Sequence, residues 1–99
     1  MPLYLHYKPT KVDLIRGILD YWDPVRARDT EHWYDLYYNY EAETICQTLR
    51  KNSSPSTVAK NVKKLIDHKL ELEGKEYRVD LDNAERVAAS MIAAVKRMR

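Results

Sequence analysis

A chain of 99 residues is sized for one domain with a single modest core. An apolar share of 44% beside 32% charged residues of both signs argues against intrinsic disorder. A net charge of only +2 gives no whole-molecule argument for nucleic acid, so any basic footprint must be local.

In chain order, residues 3–7, LYLHY, read as a short strand or as an arm packed on the body. A first helix is expected over residues 11–22, with Thr10 as N-cap and Asp13 near its amide donors. Val12, Ile15, Leu19 and Trp22 form its inner stripe, widened by Leu14 and Ile18. Pro24 stops it and pushes Asp23 toward extended geometry.

A polar link leads to a second helix over residues 31–51, capped by Asp29 or Thr30. Tyr34, Tyr38, Ala42, Ile45 and Leu49 share one of its faces. Cys46 lies on its apolar side and, as the chain's one cysteine, cannot close an internal disulfide. It reads as a buried thiol in a reducing cytoplasm. NSSPS is a turn and restart, with Ser54 as cap and Pro55 at the first position of a third helix over 55–69. Val58, Val62, Leu65 and Ile66 point that helix inward.

Residues 70–81 then change period. Leu70 and Leu72 alternate with Glu71 and Glu73, and Tyr77, Val79 and Leu81 alternate with Glu76, Arg78 and Asp80. Gly74-Lys75 between them suits a tight hairpin turn, so two strands are expected, against the competing reading of a longer third helix and an irregular loop. A fourth helix is expected over 83–98, opened by a capping box of Asp82 and Glu85 and striped by Val87, Met91, Val95 and Met98. The expected fold class is thus mainly α with a small β-hairpin, in one domain of four helices.

Little in the chain points to catalysis. Gly17 and Gly74 are the two glycines, too few for a phosphate cradle, and there is no nucleophile elbow or paired-carboxylate signal. His6, His32 and His68 make no HxH or HxxxH pair, so neither metal nor cofactor is expected. No run reaches the ~18 apolar residues of a membrane span, and no signal-peptide pattern opens the chain, so a cytoplasmic location is expected.

Two surfaces carry the functional expectations. Seven of the ten aromatics fall between Tyr21 and Tyr40, and one helix face cannot bury them all. Trp33, Leu36, Tyr37 and Tyr40 are therefore candidate anchors for a protein partner, as in an inhibitor or immunity-type module. The third helix turns Ser56, Thr57, Lys60, Asn61, Lys63 and Lys64 outward, residue types that neutralise phosphates and reach base edges.

YEAETICQTL, then SPSTVAKNVKKL, then LELEGKEYRV together resemble the positioning helix, recognition helix and wing of winged helix-turn-helix regulators, over residues 40–81. The resemblance implies a small regulator of duplex DNA, with those side chains in the major groove and Lys75 at the wing tip. Separately, the broad apolar and alanine surface of helix 83–98, with Ala88, Ala89, Ala93 and Ala94, suits close packing against a second copy, so a two-fold homodimer is expected. ILDYWDP, YNYEAETI and ERVAASMIAAVKR resemble, across most of the chain, small uncharacterised bacterial helical proteins with a W-D-P motif. That likeness implies a helical fold and no particular activity.

Overall fold

Thr10 opens the first helix as its sequence position predicts. In the computed structural model, which describes residues 9–29 and 36–98, its hydroxyl accepts the Asp13 N–H at 3.1 Å. Asp13 returns the bond to the Thr10 N–H at 2.9 Å, so two orphan donors are satisfied reciprocally. Among the described residues four α-helices follow, α1 Lys11–Trp22, α2 Asn39–Thr48, α3 Pro55–Leu72 and α4 Leu81–Arg97, with a short 3-10 turn at Ala27–Asp29. The LYLHY arm, Trp33, Tyr34 and the expected start of the second helix lie outside the described residues.

Burial follows the helical stripes. Ile15 and Leu19 on α1, Val58, Val62, Ile66 and Leu70 on α3, and Ala88, Met91 and Val95 on α4 all enter one core. The helices close a ring in which α1 touches α2 and α4, and α3 touches α4 and α2. The pairing of α3 with α4 is the most extensive and that of α2 with α3 the slightest. At 44 × 34 × 18 Å the molecule is a slab less than two helix diameters thick. Among the described residues, helix faces stay open to solvent, including the side along which α2 meets α3.

The W-D-P corner departs from its expected geometry. Asp23 is left-handed, with φ 47°, rather than extended. Its side chain over-determines that conformation, which aspartate tolerates better than most residues. One carboxylate oxygen accepts the Tyr38 hydroxyl at 2.7 Å and the Ala27 N–H at 3.0 Å, and the other accepts the Arg28 N–H at 3.2 Å. The Tyr38 hydroxyl in turn accepts the buried Val25 N–H at 3.0 Å. Tyr38 is thus held back against the end of α1, and with residues 36–38 in a turn α2 begins at Asn39.

Helix α2 also ends early. Leu49 turns inward in extended geometry and is buried. The Lys11 ammonium reaches over from α1 to the carbonyls of Cys46 and Leu49, satisfying two acceptors and placing a cation at a helix C-terminus.

The expected hairpin at 70–81 does not form, and no strand occurs among the described residues. Helix α3 continues to Leu72 because Leu70 extends the fourfold spacing of Val58, Val62 and Ile66 and is fully buried. Gly74, at φ 74°, then closes the helix: its N–H donates to Glu71 O, and the Lys75 N–H donates to Leu70 O. That is the Schellman pattern, in which glycine is chosen for a left-handed C′ position. Residues 75–80 run without regular structure to Leu81, where α4 starts behind Asp80. The expected Asp82–Glu85 capping box is absent, since α4 starts before it and its N-cap has no side-chain bond.

A Cβ at residue 74 would meet nothing within 4 Å, so only backbone conformation opposes a substitution there. Gly74→Ala is expected to lose roughly 1 kcal/mol in urea unfolding from the left-handed penalty alone. An unchanged midpoint would contradict the cap assignment.

The apolar stripe of α4 is used inside the chain. Of the alanines suited to close pairing with a second copy, Ala88 is buried, Ala93 and Ala94 are half-buried, and Ala89 alone is exposed among polar neighbours.

Candidate docking groove between two helices

The slight contact of α2 with α3 leaves a groove of about 720 Å³ along their joint outer side. Volumes of this order are typical of ligand-holding clefts. Ile45, Leu49, Val58 and Leu65 give it apolar walls. Tyr40 and Leu72 stand where the N-terminus of α2 meets the C-terminus of α3, 67% and 72% exposed. These large apolar side chains lie outside the core, open to solvent beside an apolar cleft.

Glu41 and Lys69 also line the groove. Glu41 is the buried charged residue of the described chain, 5% exposed, and the Lys69 ammonium lies 3.3 and 3.4 Å from its two oxygens. The same ammonium donates to Tyr37 O at 3.0 Å and sits 4.2 Å from the Tyr37 ring centroid, a cation–π contact. Tyr37 meets Tyr38 edge-on at 4.9 Å. One lysine thus ties α3 to the start of α2 through a carboxylate, a carbonyl and a ring.

Sequence-predicted site residues divide among different surroundings. Ser56, Thr57 and Lys60 are exposed on α3 as expected. Asn61 and Lys64 are exposed too, but they line the groove. Lys63 is committed elsewhere: its ammonium binds Asp67 at 2.7 Å and Val79 O at 2.8 Å. Asp67 also accepts the Val79 N–H at 2.7 Å, so the two side chains fasten the 75–80 segment where a strand partner was expected.

Lys75 belongs to the α3 cap and is not the tip of a wing. Among the aromatic candidates, Leu36 and Tyr40 are exposed, whereas Tyr37 is buried, because the turn 36–38 swings it under Lys69. Trp33 lies outside the described residues. Leu72, His68, Glu41 and Lys69 are groove residues that single-helix reasoning did not assemble. The repeat Leu65–Leu72, continuing α3 along a second stripe, is the sequence signal that could have found the groove.

Charge around the groove is lopsided. Residues 44–66 contain no acid and five cations, Arg50, Lys51, Lys60, Lys63 and Lys64, which leaves twelve cations against fifteen acids elsewhere. With Lys63 engaged, the other four are exposed around the 49–54 turn and the first half of α3. Cys46 is half-buried, and its thiol is pushed up from its ordinary value by burial, partly offset by the Lys11 charge. Among the described residues no helix is long and apolar enough to cross a membrane. No family model, curated protein or solved structure matches the chain.

Proposed function

We propose that the chain is a non-enzymatic binding module that docks an apolar segment of another protein in the α2–α3 groove. The observation that carries this reading is the exposure of Tyr40 and Leu72 at the end of an apolar cleft. Removing those side chains from water would add about 25 cal/mol for each Å² of apolar surface covered. The floor is already fixed by the Glu41–Lys69 tie, so little ordering of the groove opposes binding.

Panning a displayed random-peptide library on the immobilised protein tests the reading. Peptides are expected that bind the parent chain and lose it on Tyr40→Ala combined with Leu72→Ser, both at exposed positions. If every enriched peptide ignores that double variant, the groove is not the docking site.

A second reading is favoured by the acid-free stretch around the 49–54 turn: contact with duplex DNA through Ser56, Thr57, Lys60 and Lys64, without a wing. It predicts binding to generic duplex at low salt, with a log–log salt slope of about −0.9 for each phosphate contacted. Lys60→Ala with Lys64→Ala would flatten that slope by roughly two contacts. Absence of a shift at low salt would dismiss it.

A further inference from the structure

Building on the docking reading, we infer that the groove's occupant is a single amphipathic helix with carboxylates along one flank. Three observations combine. The walls are two helices whose backbone groups are already bonded within α2 and α3, and no strand edge lies beside the groove among the described residues. An extended peptide would bring unpaired N–H and C=O groups into an apolar cleft, whereas a helix carries its own bonds.

From Val58 to Leu72 the α3 wall runs for about 21 Å at 1.5 Å per residue, matching roughly four turns of an incoming helix. Anchors spaced at i, i+4, i+7 and i+11 would follow that line. Charge fixes the flank. Lys64 and His68 are exposed on the α3 side, with Lys60 and the turn cations Arg50 and Lys51 beyond. The groove's one acid, Glu41, is already paired with Lys69, and the α2 side offers Thr44, Gln47 and Thr48. An acidic flank on α3 and a neutral polar flank on α2 is the complementary pattern.

A second copy of the chain fits worse. Groove-to-groove pairing about a two-fold axis would bring two such basic rims together. The outward face of α4, with Glu85, Arg86, Ala89 and Ser90 exposed, offers no run of apolar anchors.

The experiment is fluorescence anisotropy with a labelled peptide carrying leucines at i, i+4, i+7 and i+11 and glutamates beside them. Two companions accompany it, one with lysines replacing the glutamates and one with a central proline. The acidic helix is expected to bind at least about tenfold more tightly than either companion. Leu72→Glu should abolish its binding, and Lys64→Glu should invert the preference toward the lysine peptide.

Equal binding of both charge forms, or full binding of the proline form, overturns this inference. The docking reading survives that result provided Leu72→Glu still abolishes binding. Binding indifferent to Leu72→Glu overturns both. If no designed peptide binds while panning still yields groove-dependent sequences, the helix assignment alone falls. If panning also fails and generic duplex is bound, both give way to the DNA reading.

Discussion

Lys69→Met is expected to destabilise the protein by about 3 kcal/mol in urea unfolding at neutral pH. Methionine keeps most of the side-chain volume, so the loss is electrostatic. Glu41, 5% exposed, would lose the ammonium at 3.3 Å with no water to replace it, and Tyr37 O would lose the Lys69 donor. Breaking one side of a buried pair costs more than the pair is worth, because the remaining polar group is left desolvated and unpaired. The double variant Glu41→Leu with Lys69→Met should therefore recover most of the loss, and a double-mutant cycle should show strong coupling. Purely additive losses would mean that Lys69 acts through packing on Tyr37 and not through Glu41. Glu41→Leu alone should cost less than Lys69→Met, since Lys69 is the more exposed partner and keeps both the Tyr37 carbonyl and its ring.

That tie also marks where sequence reasoning stopped. Helical periodicity located the four helices because each buries one stripe, and Ile15–Leu19, Val58–Val62–Ile66 and Met91–Val95 are stripes that need no knowledge of their neighbours. Residues 70–81 were ambiguous because Leu70 satisfies two periods at once, alternating with Glu71 and lying four residues beyond Ile66. Gly74 is equally at home in a hairpin turn and in a helix cap. The deciding interaction, Asp67 and Lys63 fastening Val79, depends on the path of the loop and leaves no local signature.

The groove was illegible for a similar reason. Asn61 and Lys64 look like members of one cationic ridge on an isolated helix. Only the placement of α2 beside α3 separates them from Lys63 and sets them opposite Thr44 and Thr48. A basic surface was readable in the chain; which cavity it borders was not. Tyr40 could be named as an exposed aromatic from its spacing, while Tyr37, three residues earlier, could not be told from it until Lys69 was seen above its ring.

Tyr38→Phe is expected to cost about 2 kcal/mol at neutral pH, and that cost should shrink as the solution becomes alkaline. The first part follows from the corner that joins α1 to α2. Removing the hydroxyl leaves the buried Val25 N–H without its acceptor and takes one donor from Asp23, which retains Ala27 and Arg28. An orphaned buried donor costs on the order of 1–3 kcal/mol.

The second part follows from ionisation. Burial, reinforced by the hydrogen bond to Asp23, pushes the Tyr38 hydroxyl well above its ordinary value of 10.0, outweighing the opposing Val25 N–H. Above pH 10 the unfolded chain releases this proton while the folded chain keeps it. The folded state then binds more protons, so stability falls with rising pH, by at most about 1.4 kcal/mol per pH unit for one group. The contribution is fully present below pH 10 and drains above it.

Phenylalanine has no proton to lose, so the variant's stability should decline more gently and approach that of the parent chain. Cys46 and Tyr77, both raised chiefly by burial, shift the same way and leave a residual alkaline slope in both proteins. The comparison must therefore be the gap between parent and variant across the alkaline range, measured by urea unfolding at each pH. A gap that stays constant would show that the Tyr38 hydroxyl ionises as readily in the fold as outside it, and the corner would not be the sealed contact that sets the start of α2.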